Sequence, residues 1–168
     1  MKLPERFFYY CAPVLMGVKS ANTFSIANNE TETFFPLFSK WDIDYKFLYK
    51  DKTRKFLLIY RSEKLDCQLQ KEDTQCFLQE YGYPSRDLNK CLNRLAAHLQ
   101  NYHDRKESFP HELGCFLDYP VHDIRGFVNN NGKNYIYCGY WKVYQQLESA
   151  KQLFSKYDEA KKIISLRN

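Results

Sequence analysis

A single α+β domain over residues 1–168, with a small antiparallel sheet of about three strands packed by several helices, is the fold that this sequence predicts. Three observations lead to it. Trp41, Ile43, Tyr45, Phe47 and Tyr49 alternate with mostly charged residues, the period of a half-buried strand. Leu88, Cys91, Leu92, Leu95, Ala96 and Leu99 recur at helical spacing behind Asp87, a good N-cap. No repeat, linker or low-complexity run divides the chain, and its 168 residues suit one core.

The elements follow in order. Pro4 suits a first helical turn, and Phe7, Cys11, Val14, Leu15 and Val18 form an apolar stripe behind it. Pro13 lies in that stripe and is expected to kink or shorten the helix. GVKSANTFSI, residues 17–26, reads as a turn. A second helix is predicted over 31–40 on Phe34, Phe35 and Phe38. The strand at 41–49, the polar turn KDKTR and the apolar run KFLLIYR then make a hairpin. Asp73 can cap a helix through Phe77, Leu78 and Tyr81 that Gly82 and Pro84 close, and NYHDRKES reads as a loop after the Asp87 helix. Two short helices are expected at 110–117 and 120–128. NNNGKN makes a turn, NYIYCGYWKVY a third strand, and Leu147, Ala150, Phe154, Tyr157 and Ile164 a last amphipathic helix.

Composition bounds the chemistry. Fourteen Tyr and 13 Phe predict an aromatic core whose hydroxyls need polar partners. A net charge of +5 with both signs interspersed permits loose attraction to anions, and the lack of any block of five like charges argues against a basic arm with nucleic acid as its partner. The six cysteines, at irregular spacing and without Cys-x-x-Cys, read as reduced thiols of a cytoplasmic protein, with Cys67, Cys76 and Cys91 assigned to packing. Glu5 and Pro13 fit poorly in a secretion signal. Nothing approaches the roughly 18 apolar residues of a membrane span.

One stretch poses a chemical question: PHELGCFLDYP, residues 110–120. Pro110 and Glu112 suit a helix start, and Leu113, Phe116 and Leu117 a buried face, which leaves His111 without a local role. Alternatively His111, Cys115 and Asp118, at i, i+4 and i+7, share a helical face and could make a thiolate nucleophile or a metal site. A helix-turn-helix is a third reading, opposed by Asp123 in the second helix. His-Glu-x-x-His, phosphate loops and dinucleotide fingerprints are absent, and no motif names a cofactor.

The run FPHELGCFLDYPVHDIRGFVNNNGKNYIYCGYWKVY, together with CAPVLMGVKSANTF, closely resembles the bacterial domain-of-unknown-function family numbered 3793, found mainly in anaerobic Firmicutes. The resemblance covers essentially the whole chain and implies a motif map rather than a reaction. Cys11, Ala12, Pro13, Gly17, Lys19, Ala21 and Asn22 fall in its first block. Pro110, His111, Glu112, Gly114, Tyr119, Pro120 and Asp123 fall in its second. Gly126, Phe127, Gly132, Lys133 and the run Gly139 to Tyr144 fall in its last. The chain departs from the family at Cys115, where an apolar residue is usual, and at Asp118, where glycine is usual. Tyr10 replaces a histidine before Cys11, and Val14 and Ser20 replace Thr and Pro.

The map implies a pocket formed by the three blocks for a small anionic or aromatic ligand or cofactor. Cys11, His111 and Glu112 are the candidate catalytic groups. Lys19, Asn22, Lys133, Tyr140, Trp141 and Lys142 are the candidate ligand-binding groups. No metal ligand is assigned. The residues do not choose between catalysis and binding. A protein-interaction module bearing an exposed aromatic patch, or a thiol/His metal site drawn from Cys11, His111, Glu112, Cys115 and Cys138, is the alternative.

Overall fold

A computed structural model describes residues 3–84 and 86–167. Helix α1 (Leu3–Leu15) is followed by strand β1 (Ala21–Ala27), a 3-10 turn (Asn28–Glu30) and α2 (Thr31–Lys40). Then come β2 (Asp44–Lys50), β3 (Arg54–Tyr60), α3 (Ser62–Leu69), α4 (Glu72–Glu80) and α5 (Leu88–His103). The last third holds α6 (Leu113–Phe116), α7 (Val121–Asn129), β4 (Tyr137–Cys138), β5 (Lys142–Val143) and α8 (Leu147–Arg167).

The sheet is antiparallel, in the order β1-β3-β2. Its central strand β3 has helices on both faces, which explains why KFLLIYR is a continuous apolar run rather than an alternating one. Leu57 and Ile59 point into a core with Phe7, Cys11 and Val14 of α1, Phe34 and Phe38 of α2, and Ala160 and Ile164 of α8. Leu58 and Tyr60 point the other way, toward Leu65 of α3, Phe77 of α4, and Leu92, Leu95 and Leu99 of α5. A third, smaller cluster seats Trp141 and Val143 on Ala150, Phe154 and Tyr157 of α8.

Several predicted elements are corrected. The third strand of the sheet is not NYIYCGYWKVY but the stretch read as a turn: Ala21–Ala27 pairs with β3 from Ala21↔Tyr60 to Ala27↔Arg54. Its Ser, Asn and Thr residues favour turns locally, yet Phe24 and Ile26 are buried, and pairing with a two-faced central strand overrides propensity. NYIYCGYWKVY instead folds back on itself as the β4–β5 hairpin. Strand β2 starts at Asp44, after a turn in which Asp42 has φ 51°. The alternation through Tyr45, Phe47 and Tyr49 does not hold one face. Phe47 pairs with Leu57 and Tyr49 with Phe56, so Leu48 is an extra residue that forms a bulge. Tyr45 therefore stacks on Phe35 at 4.8 Å on one side, while Tyr49 stacks on Phe56 and on His103 of α5 on the other.

Helix α3 was not anticipated; only Leu65, Gln68 and Leu69 of its eight residues are buried, too short a stripe to read. Asp73 lies inside the first turn of α4 and accepts from Thr74 N, while Lys71 holds the cap position. The Asp87 cap is present, its carboxylate accepting from Lys90 N at 2.9 Å, and α5 runs on into the expected loop as far as His103. Pro13 does not break α1 but comes two residues before its end, where Gly17 takes φ 69°. All six cysteines are free; Cys91 is packed inside, but Cys67 and Cys76 are exposed rather than buried. Among the described residues, no helix is long and apolar enough to cross a membrane.

Phe7 is fully buried, with its ring centroid 5.6–6.2 Å from those of Phe24, Phe34 and Phe38. Phe7→Ala should lower stability by about 3–5 kcal/mol, read as a reduced urea midpoint at unchanged slope.

Candidate functional site

The His-Glu pair splits at the backbone. Only Leu113–Phe116 is helical, and Pro110 to Glu112 form a tight turn in which Leu113 N donates to Pro110 O and Gly114 N to His111 O. The two side chains therefore go separate ways. Glu112 turns inward and is 1 % exposed. Its Oε1 lies 2.7 Å from His98 Nδ1 of α5, in a hydrogen bond, and accepts from the Tyr83 hydroxyl at 3.1 Å. Burial, and the nearby Glu112 charge, push the Tyr83 phenol far above its usual range. The hydrogen-bond partner of Glu112 is thus His98, which sequence reasoning missed; no spacing links residue 98 to 112.

His111 turns the other way. Its ring packs between Phe109 and Phe127, both at 5.3 Å, and no hydrogen bond reaches it from any described residue. The face shared with Cys115 and Asp118 does not form, because the helix is one turn long. Cys115 is buried in the core, where burial foremost and then Glu112 push its thiol up to about 12. Asp118 has φ 61° and accepts from Ser20 N at 2.7 Å. A left-handed residue here fits the glycine that the family resemblance implies.

Facing His111 is the β4–β5 hairpin, and Asp123 of α7 holds it there. This buried carboxylate accepts the Trp141 indole N–H at 2.8 Å and the backbone N–H groups of Tyr144 (2.8 Å) and Gln145 (3.1 Å). Asp123, read as an acid that opposes a DNA-recognition helix, is an inward clamp. Close approach of the hairpin also explains two glycines. A Cβ on Gly126 would lie 2.4 Å from the Tyr144 ring, and one on Gly139 2.3 Å from the Phe154 ring. Lys142 donates to the Gly132 carbonyl at 2.7 Å and lies over the rings of Tyr135 and Phe127 at 4.8 and 5.6 Å.

Between the turn, α7 and the hairpin opens a cleft of about 350 Å³. His111, Phe109 and Phe127 line one side, and Tyr140, Trp141 and Lys142 the other, with Tyr119 also on the lining. The walls are largely apolar and aromatic. Two basic side chains, His111 and Lys142, face the space, and both oxygens of the Asp123 carboxylate in its lining already accept hydrogen bonds. One of the three ammonium donors of Lys142 is committed to Gly132, which leaves others for a ligand.

The second and third motif blocks therefore meet. The first does not join them. Cys11 is fully buried in the α1–β3 core, where burial holds its thiol well above the usual range, so it is neither a thiolate nor near the cleft. Lys19 is 4 % exposed; it donates to Asn22 Oδ1 at 3.0 Å and lies 5.7 Å from the ring centres of Tyr119 and Tyr157. Asn22 passes the contact on to the Tyr10 carbonyl at 2.8 Å. Lys133 is exposed beyond the cleft, and the Tyr140 hydroxyl is committed to Asp158 of α8 at 2.7 Å. Cys138 lines the cleft but stands apart from Cys11 and Glu112. Among the described residues, no three His, Cys, Asp or Glu side chains converge to hold a metal.

Two consequences can be measured. Asp123→Ala strands three donors and should cost about 2–5 kcal/mol, with the Trp141 emission shifting red as the hairpin loosens. Burial lowers the Lys19 amine from 10.5 to about 8, with Asp118 opposing the shift. Between these values the unfolded chain holds the extra proton, so stability rises with pH. Relative to Lys19→Met, the wild-type chain should gain up to about 1.4 kcal/mol per pH unit from about pH 8 to 10.5, read by urea titration.

No curated protein and no solved structure matches the chain. It does match, over residues 7–167, the family described as "Protein of unknown function (DUF3793)". That span is nearly the whole chain and contains all three motif blocks and both walls of the cleft, so the protein belongs to this family.

Proposed function

We propose that this protein binds a small, flat, anionic ligand or cofactor in the cleft between the His111 turn and the Tyr140–Lys142 hairpin. One observation carries the reading: two motif blocks far apart in sequence bring His111 and Lys142 to one aromatic-walled space of about 350 Å³. Aromatic walls suit a ring, and the ammonium suits a carboxylate or phosphate at its edge. His111, with no hydrogen bond from the described residues, is free to donate to the ligand or to accept a proton from it. The first block supports this space from behind, through Lys19 under Tyr119. Cys11, Lys19 and Asn22 lie outside this cleft and are not ligand contacts in it, and Glu112 is paired with His98.

A second reading, a protein-interaction module, is favoured by Tyr135, Ile136 and Tyr137, which are exposed on and beside β4.

Native mass spectrometry of anaerobically purified protein, with an absorption spectrum of the same sample, separates the two. A retained mass that is lost in His111→Ala supports the ligand. A clean apo mass, with capture of a partner that Ile136→Asp abolishes, supports the module. In fluorescence titrations, Lys142→Met should weaken an aromatic carboxylate such as benzoate by about tenfold while leaving benzamide unchanged.

A further inference from the structure

Tyr119 borders a second cleft, larger at about 810 Å³ and of mixed polarity, bounded by α3, the start of α4, the 118–122 turn and α8. Two residues of its lining contain buried oxygens with no hydrogen-bond partner among the described residues: Asp118 Oδ1 and the Tyr157 hydroxyl. Tyr157 is fully buried, and its ring is held against Tyr140. A buried oxygen left unsatisfied costs about 1–3 kcal/mol, so two at one cavity are a reason to look for what pairs with them. Asp118 adds backbone strain, because its φ of 61° is unfavourable for a residue with a side chain. Ser20 engages the carboxylate, its N–H donating to Oδ2; no cation lies within ion-pair distance of it among the described residues, and Lys19 and Lys71 act on it only from farther away.

The other wall carries the complementary charge. Lys64 and Lys71 are exposed, line the cleft and form no ion pair with any described residue. Of the two further acids in the lining, Asp73 is engaged by Thr74, and Glu63 sits exposed on α3. The cleft thus offers acceptors on one side and free ammonium groups on the other. A simple cation would satisfy the first and be repelled by the second; a simple anion would meet the reverse.

We propose that this cleft binds a small zwitterion with a primary ammonium and a carboxylate, as a free amino acid has, the ammonium donating to Asp118 and Tyr157 and the carboxylate facing Lys64 and Lys71. The site is independent of the aromatic cleft, although Tyr119 is common to both linings.

The test is ligand-observed NMR on the full chain with each of the standard free amino acids, followed by titration of any that bind. For a binder, the amine lacking the carboxylate and the acid lacking the ammonium should each bind at least about tenfold more weakly. Asp118→Asn keeps an acceptor for Ser20 N and should weaken binding by about tenfold or more. Tyr157→Phe, which removes only an unpartnered hydroxyl, should keep the fold and weaken binding severalfold. The proposal is overturned if no amino acid binds at about 10 mM, a weak limit for a site of this size. It is equally overturned if a one-ended analogue binds as well as its parent, or if folded Asp118→Asn binds unchanged.

Discussion

The carboxylate of Asp123 accepts one side-chain and two backbone N–H groups from a hairpin that has almost no other regular structure, and the aromatic cleft depends on that pairing. Strands β4 and β5 are two residues each, too short to hold their position by ladder bonds alone. What fixes them is the Asp123 clamp on one side and the seat of Trp141 and Val143 on α8 on the other. A charged acceptor is worth more than a neutral one and is costly to leave unpaired. Its burial is tolerable because all its contacts are donors. Gly126 and Gly139 serve the same closeness by removing the side chains that would hold α7 and α8 off the hairpin.

Beneath this, the sheet divides the interior. Strand β3 is buried on both faces and passes its side chains alternately to two cores, one built on α1, α2 and α8 and the other on α3 to α7. The bulge at Leu48 lets β2 serve both cores along its length. Helix α8 closes the arrangement. Ala160 and Ile164 belong to the first core, while Ala150, Phe154 and Tyr157 carry the hairpin. The cleft is therefore mounted on elements that are themselves packed, a rigid support for binding.

The polar interior is where the motif blocks separate. Lys19, Asn22, Asp118 and Tyr157 lie behind Tyr119, whereas His111 and Lys142 lie in front of it. Charged groups this close, yet outside ion-pair distance, explain why burial rather than partnership dominates the behaviour of the Lys19 amine. A lysine read from sequence as a ligand clamp is instead buried behind Tyr119 and lines neither cleft.

Sequence by itself determined the class of this protein and most of its helices. Asp87 before an unbroken stripe, the stripe of α8, and the β2–β3 hairpin are local signals, and each survives in the fold. It also left His111 as the residue that packing and capping do not explain; Trp141 and Lys142 entered only through the family's motif map, among other candidates. Only tertiary structure decided the rest. It made a strand of SANTFSI, because pairing with a two-faced strand outweighs weak propensity. It shortened the His-Glu helix to one turn, which sent Glu112 to His98 and His111 to the cleft. It turned Asp123 inward and placed Cys11 in the core. Each of these depends on a partner distant in the chain, and hydrogen bonds between distant residues leave no period in the sequence to read.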